Sequence, residues 1–325
     1  MSVIKILIIR FSSIGDILLV TPLLRCLKEQ VPGAELHLIT KEQFLPLLEH
    51  HPQLHKIHVF KKEPDTCYDV LKAEHFNYVL DLHHNLRSLK VKRALAVPSF
   101  SFNKLNLQKF AAVYLKMREV LPPLHIVERY FKTAEFLKVK EDGKGLEIFI
   151  DPADETSYES LSGKPARAFL ALVIGGSYYT KKIPIEKLRE IISRAVLPVV
   201  LMGGSEDQSI GEQLAVEFPE VLQTCGHLRL MQSASLISKA EWVVTGDTGL
   251  MHMASAFNKK IVSIWGNTIP EFGMGPYLPN AANQIRQIND LPCRPCSKLG
   301  HSSCPAGHFR CMQDQDFQFI SELSS

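Results

Sequence analysis

Four short stretches of this chain carry residue types that can handle a phosphorylated ligand. Thr245-Gly246-Asp247-Thr248-Gly249-Leu250-Met251-His252 follows the apolar run Trp242 to Val244. Thr248 and Gly249 would offer a hydroxyl and backbone N–H groups at a helix N-terminus, where aligned peptide dipoles favour an anion such as a diphosphate. His252 lies four residues beyond Thr248, so on a helix it shares that face. Ile174-Gly175-Gly176-Ser177 ends another apolar run and precedes Lys181 and Lys182. Small residues there can form an anion-binding turn, and lysine brings a mobile point charge suited to phosphate. Gly203-Gly204-Ser205-Glu206-Asp207 sets carboxylates where ribose hydroxyls could donate to them. Ser12-Ser13-Ile14-Gly15-Asp16 follows the first apolar run. Gly15 permits close backbone approach there, and the Asp16 carboxylate can take the proton of an acceptor hydroxyl.

Each stretch also has a purely structural reading. Asp16 can favour a helix N-terminus through the dipole. Lys181 and Lys182 can be solvated, Glu206 or Asp207 can cap a helix, and His252 can be a core histidine. Several of these turns follow strands in the second half of the chain, and their convergence is more specific than any one of them.

The elements that position them alternate. Val3 to Ile9 is a continuous apolar run of the kind buried in a parallel sheet. The spacing predicts a helix over Ile17 to Leu27, with Pro22 either starting it behind a Thr21 cap or kinking it. A strand over Glu35 to Ile39 completes a βαβ unit. Ile57 to Phe60 and Tyr78 to Leu80 read as strands and Val127 to Leu137 as a helix. The turn-rich segment Asp151 to Lys164 reads as part of a linker. Strands are expected at Phe169 to Ile174, Val199 to Met202, Trp242 to Val244 and Ile261 to Ile264, with helices at Ile185 to Ala195, Ser209 to Phe218 and Leu250 to Phe257. The expectation is an α/β protein of two doubly wound domains, residues 1–160 and 161–325, with parallel sheets facing an interdomain cleft.

The 325 residues suffice for about two domains. A net charge of +3 gives no case for nucleic-acid binding. The N-terminal apolar run is too short for a signal peptide and no stretch approaches the length of a membrane span, so a cytoplasmic location is expected. Of seven cysteines, Cys26, Cys67 and Cys225 read as buried thiols. Cys293, Cys296, Cys304 and Cys311 form a cluster that could bind a structural metal, pair, or stay unligated.

The pattern resembles glycosyltransferase family 9, the ADP-heptose:lipopolysaccharide heptosyltransferases. The resemblance rests on Arg10-Phe11-Ser12-Ser13-Ile14-Gly15-Asp16-Ile17, Asp81-Leu82-His83-His84-Asn85-Leu86-Arg87-Ser88, His125-Ile126-Val127-Glu128-Arg129-Tyr130, Gly246 to Ala254, Ile264-Trp265-Gly266-Asn267-Thr268-Ile269-Pro270 and Gly275-Pro276. It implies a GT-B fold of two Rossmann-like domains and an inverting, metal-independent transfer that needs no cofactor beyond the ADP-heptose donor. It implies Asp16 as general base. Gly176, Ser177, Lys181, Glu206 (with Asp207 as the alternative), Asp247, Thr248, Gly249 and His252 would bind the donor. Ser13, Gly15, Arg87 and Arg129 would serve the acceptor, an inner-core sugar on lipid A. Lys61, Lys62, Lys90, Lys92 and Arg93 are further basic contacts for an anionic acceptor, whose lipid anchor implies peripheral contact with the inner membrane. The family often has Trp where this chain has Ile183. A transferase using another nucleotide sugar or acceptor, and a non-catalytic nucleotide-sugar-binding protein, are the alternative readings. The sequence assigns no oligomeric state.

Overall fold

The computed structural model describes residues 3–60, 64–165 and 167–324. They form two compact units, Met1–Asn106 with Leu124–Phe149, and Leu107–Pro123 with Ile150–Ser325. The expected contiguous division at residue 160 is thus replaced by one at Phe149, with residues 107–123 packed in the second unit. There Ala112, Val113 and Leu121 share a core cluster with Ile269 and Phe272.

The first unit contains β1 (Ile4–Ile9), α1 (Ile14–Leu18), α2 (Thr21–Gln30), β2 (Ala34–Thr40), β3 (Leu54–Val59), α3 (Pro64–Ala73), β4 (Tyr78–Asp81), α4 (Leu86–Leu95) and β5 (Ser99–Ser101). α5 (Asn106–Phe110) leads into the exchanged segment, and α6 (Ile126–Phe131) returns to the first unit. The sheet is parallel, in the order β3-β2-β1-β4-β5. β1 lies at its centre, and Ile6, Leu7, Ile8 and Ile9 are all fully buried, which explains the unbroken apolar run. Successive side chains alternate faces: Leu7 and Ile9 join Leu71, Phe76, Val79 and Val91 in one cluster, leaving Ile6 and Ile8 for the other face.

The second unit contains α7 (Tyr158–Ser162), β6 (Leu170–Val173), α8 (Ile185–Arg194), β7 (Val199–Met202), α9 (Gln208–Glu217), β8 (Leu222–Gln223), α10 (Leu230–Lys239), β9 (Trp242–Gly246), α11 (Gly249–Ala256), β10 (Lys260–Trp265), β11 (Gln284–Gln287) and α12 (Arg310–Gln313). Its parallel sheet runs β11-β10-β9-β6-β7-β8. α8 buries Leu188, Ile191 and Ile192 against this sheet's core, each worth about 1.5–3 kcal/mol. In both sheets the strand order reverses beside the first strand, between β1 and β4 and between β6 and β9. Such switch points open a crevice beyond the carboxyl ends of the strands, the place where α/β sheets bind ligands.

Three local expectations change. The single helix over Ile17 to Leu27 is two helices. Pro22 sits in the first turn of α2, where its missing N–H costs nothing, and Thr21 is the first helical residue rather than the cap. The Thr21 hydroxyl donates to the Leu18 carbonyl at 2.7 Å and bridges the break. The helix over Val127 to Leu137 is α6 followed by a 3₁₀ segment, Lys132–Leu137. Asp151 to Lys164 belongs to the second unit: Tyr158 stacks on Phe169 and the Thr156 N–H donates to Ser235 Oγ at 2.9 Å.

Arg25 of α2 is 3% exposed and makes a bidentate pair with Asp142, at 2.7 and 2.8 Å. The Arg25 hydrogen bond holds the Asp142 carboxyl well below the usual range. Arg25→Ala would strand that carboxylate and is expected to lower stability by about 3 kcal/mol in urea titrations at pH 7. Because the folded pKa is depressed, the stabilisation is present above the ordinary Asp range. The gap between parent and variant should therefore shrink as pH falls through the folded value. Equal stability at pH 7 would show that the pair contributes nothing.

Candidate functional site

Beyond β1 the chain organises around Arg10, which is 6% exposed. Its guanidinium donates to Ser12 O at 2.7 Å, to the Tyr130 hydroxyl at 3.0 Å and to Leu82 O. It also pairs with Asp16 Oδ1 at 2.5 Å. Asp16 Oδ2 accepts from the Ser13 N–H at 3.1 Å and the Ser13 hydroxyl at 2.8 Å. Asp16 therefore closes the first turn of α1, as its structural reading expects, and remains half-buried at the strand mouth. Burial alone would raise its pKa. The Arg10 charge and the Ser13 donors outweigh burial and hold the carboxyl below its ordinary value. Ser13, Gly15 and Asp16 are thus brought together on one turn, with Gly15 buried beneath it.

Beyond β4, Asp81 is fully buried and organises the neighbouring loop. Its carboxylate accepts from the His83 and His84 N–H groups at 3.1 and 2.7 Å and from the Ser88 hydroxyl at 2.8 Å. It also holds Lys92 at 3.0 Å. Lys92 is therefore held by Asp81, while Lys61 and Lys62 lie outside the described residues. Arg87 is exposed in the first turn of α4. His83 packs edge-on against Phe11, and burial, aided by Arg10 and Lys104, pushes its pKa down to about 4. Its Nδ1 is buried without a hydrogen bond. In α6, Glu128 accepts from the His125 N–H at 2.6 Å, and Tyr130 fixes Arg10. Arg129 is 2% exposed and lines a cavity of about 190 Å³ with Ser101, Asn103 and Lys132. Its Nη1 donates to Asn103 O at 3.4 Å.

In the second unit three strand-end loops meet. Lys181 pairs with Asp247 Oδ2 at 2.6 Å, and the Thr268 hydroxyl donates to the same oxygen at 2.9 Å. Gly246 permits this approach, since a Cβ there would sit 2.5 Å from Lys181 O. Thr248 starts α11, with its hydroxyl 3.1 Å from that of Thr245, and Gly249 is the helix's first residue. Gly176 and Ser177 lie on the loop after β6, with Ser177 exposed.

The structure separates the two acids after β7. Asp207 is 1% exposed, pairs with Lys182 at 2.5 Å and accepts from the Gly204 N–H at 3.0 Å. A Cβ on Gly175 would lie 2.4 Å from Asp207 Oδ2, which explains that glycine. Glu206 stays exposed, so it is the carboxylate open to a ligand. His252 lies in α11, four residues beyond Thr248, and is 2% exposed.

Arg10, Tyr130, Asp81 and His83 carried no role in the sequence reading, because their importance lies in partners distant along the chain. Asn267 is another case: it is 1% exposed, and neither side-chain polar atom has a hydrogen bond. Such a group calls for a partner. Two side-chain sets among the described residues could group around a cation, Glu35 with His37 and His55, and His37 with His58 and Glu74. Their carboxylates are already paired, Glu35 with Lys5 at 3.2 Å and Glu74 with Lys56 at 2.6 Å.

The sequence profile of glycosyltransferase family 9 (heptosyltransferase) matches residues 68–303. The chain belongs to this family. It is 34% identical to lipooligosaccharide heptosyltransferase 2 of Haemophilus influenzae over 107 residues, which span 31% of this chain and 30% of that protein. It is 25% identical to the Haemophilus ducreyi lipooligosaccharide heptosyltransferase 2 over 321 residues, covering 88% of this chain and 89% of that one. The solved E. coli ADP-heptose LPS heptosyltransferase II superposes with a TM-score of 0.70 at 19% identity, covering 96% of this chain and 98% of that one. This family 9 glycosyltransferase therefore has the GT-B fold, two Rossmann-like units each built on a parallel sheet.

Two glycine substitutions test the loop packing. Gly246→Ala drives a methyl against the Lys181 carbonyl and should cost about 1–3 kcal/mol in urea denaturation. Gly176→Ala meets its nearest atom at 3.4 Å, on the flexible Lys182 side chain, and should fold like the parent. Equal stability of the two variants would refute the close approach at Gly246.

Proposed function

We propose that this glycosyltransferase moves a heptose from ADP-heptose to an inner-core sugar of lipid A-linked lipopolysaccharide, with inversion and without a metal, using Asp16 as general base. The observation that carries the proposal is the Asp16 carboxylate, kept ionised and half-buried at the β1 strand end of a family 9 chain. Two relatives that match over most of their length support the reading by name: lipooligosaccharide heptosyltransferase 2 of H. ducreyi and lipopolysaccharide heptosyltransferase 2 of Salmonella typhimurium.

In this reading the acceptor hydroxyl oxygen bonds to the anomeric carbon as the bond from that carbon to the ADP oxygen breaks. The hydroxyl proton passes to Asp16, and ADP leaves with the electron pair. A single displacement of this kind inverts the anomeric centre. Charge growing on the departing diphosphate is met by Lys181, released from or shared with Asp247, and by the N–H groups of Thr248 and Gly249 at the positive end of α11. Gly176 and Ser177 complete the phosphate side, and Glu206 takes the ribose. His252, one turn into α11, belongs to the same donor side. Ser13 and Gly15 shape the acceptor mouth, and Arg129 and Arg87 supply positive charge for an anionic core.

Arg10 has a cost for this chemistry, since it lowers the basicity of the group it positions. Proton transfer is then late, after the anomeric carbon has developed positive charge and acidified the incoming hydroxyl. No helix among the described residues is long and apolar enough to cross a membrane. A lipid-anchored acceptor then calls for peripheral contact at the cytoplasmic face of the inner membrane.

Purified protein supplied with ADP-heptose and lipid A-linked core acceptors should release ADP, with or without EDTA. No release with any such acceptor would overturn the donor and acceptor assignment. Asp16→Asn should lower kcat on the order of 10²–10⁴-fold while keeping ADP affinity. Loss of both together would make Asp16 structural. Arg10→Gln removes the charge that lowers the Asp16 pKa and leaves the burial that raises it. The acid limb of kcat/KM against pH should therefore move to higher pH, and an unmoved limb would exclude Asp16 as the titrating base.

A further inference from the structure

The segment from Leu107 to Arg118 runs from α5 through a π-helical turn, Ala111–Leu115, within the second unit. Its inner side is held. Ala112 and Val113 join Leu121, Ile269 and Phe272 in a buried cluster. Lys116 donates to the Cys293 and Pro295 carbonyls at 3.0 and 2.9 Å, and Arg118 donates to the Arg294 carbonyl at 2.8 Å. Lys109 Nζ lies 5.6 Å from the centre of the Phe272 ring.

The outer side reverses the usual pattern of a surface helix, which turns its polar residues to water. Leu107 is 83% exposed and Tyr114 70%, and Phe110, Leu115 and Met117 are exposed as well. The residues buried beneath, Ala112 and Val113, are smaller than those left in water. Exposed apolar residues scattered singly are ordinary, whereas a contiguous set marks an interaction surface. Leu107, Phe110 and Tyr114 follow the i, i+3, i+7 spacing of one helix face, and the Phe110 and Tyr114 rings lie 4.7 Å apart.

Charge indicates what covers this face. From Lys104 to Arg118 the chain carries Lys104, Lys109, Lys116 and Arg118 and no acidic residue. Lys116 and Arg118 give their hydrogen bonds to neutral carbonyls, which leaves their positive charge in place, and Lys116 is exposed. Apolar side chains rimmed by cations fit the boundary of a bilayer with anionic headgroups. There the apolar groups enter among acyl chains, a tyrosine takes the headgroup level and lysines meet phosphate. A second copy of the chain fits less well, because a two-fold contact would set this face against itself and bring like charges together.

We propose that Leu107, Phe110, Tyr114, Leu115 and Met117 form a docking face for the anionic surface of a phospholipid bilayer. The proposal rests on the lipid-anchored acceptor of the function proposed above and names the surface that meets its membrane. The segment is far too short to span a bilayer, so it would lie in the plane of the interface. Docking confines the enzyme to the layer that holds the acceptor, which raises the acceptor's effective concentration without a new contact to the sugar.

The test mixes the full chain with vesicles of phosphatidylethanolamine and phosphatidylglycerol, with neither donor nor acceptor present. The parent should float with these vesicles and bind vesicles of phosphatidylcholine alone at least about tenfold more weakly. The double variant Leu107→Gln, Phe110→Gln should also lose at least about tenfold in partitioning. Val216→Gln, at a highly exposed apolar position on α9, should bind like the parent. Tyr114→Trp keeps the face amphipathic and adds a reporter, since the native tryptophans, Trp242 and Trp265, are both buried. Its emission should shift to the blue when vesicles are added. The double variant should keep the parent's turnover on a deacylated, water-soluble core acceptor, and its KM for a vesicle-borne acceptor should rise. A parent that does not float, equal partitioning of parent and double variant, or an unshifted Tyr114→Trp emission would overturn the proposal. So would a parent dimer that ignores vesicles and becomes a monomer in the double variant, a result that assigns the face to a second copy. The vesicle readouts contain no sugar, so they stand or fall separately from the identity of the group transferred.

Discussion

A parallel sheet leaves backbone carbonyls at the carboxyl ends of its strands, where the chain turns away and no neighbouring strand can serve them. Buried carbonyls need donors. In each unit one enclosed guanidinium meets this need. Arg10 binds Ser12 O and Leu82 O, beyond β1 and β4. Arg294 binds Gly266 O and Thr268 O beyond β10 and Ile288 O beyond β11. Five N–H donors in a rigid plane let one side chain hold several loops in register. Around these two arginines the ligand loops take their shape.

The same economy sets the electrostatics. Arg10, Lys182 and Lys181 each hold a carboxylate at a strand end: Asp16, Asp207 and Asp247. The pairs differ in depth, and depth separates their roles. Asp207 is sealed at 1% exposure and locks two glycine turns together. Asp16 and Asp247 keep side-chain exposures of 19% and 11%, so a ligand can reach them. An ion pair at the mouth also places a charge of each sign where a diphosphate or a hydroxyl would arrive, before any ligand is present, so little reorganisation is left for the moment of reaction.

The sequence made the strands legible because buried parallel strands are continuous apolar runs, as at Ile6 to Ile9 and Val199 to Met202. It made the ligand loops legible because glycines and small polar residues follow those runs. β8 and β11 were hidden because Leu222–Gln223 is too short and Gln284–Gln287 too polar to show a period. The break at Leu19 and Val20 was legible only as one of two readings of Pro22, because the apolar spacing runs straight through it; in the structure Pro22 opens α2 and the Thr21 hydroxyl bridges the join. His252 shows the limit of periodicity: i, i+4 spacing aligns it with Thr248 but cannot say how deeply that face is covered.

By itself the sequence determined the α/β class, the paired doubly wound sheets, the family, and which turns carry Asp16, Lys181 and Asp247. These depend on local pattern, and local pattern is written in consecutive residues. The tertiary structure alone decided that Arg10 sets the charge state of Asp16, that Asp207 is sealed while Glu206 is open, and that residues 107–123 pack with the second unit. It also decided that the cysteine segment grips the Asn267 and Thr180 backbones. Burial and pairing are properties of neighbours that lie far apart along the chain, and spacing within a motif carries no information about them.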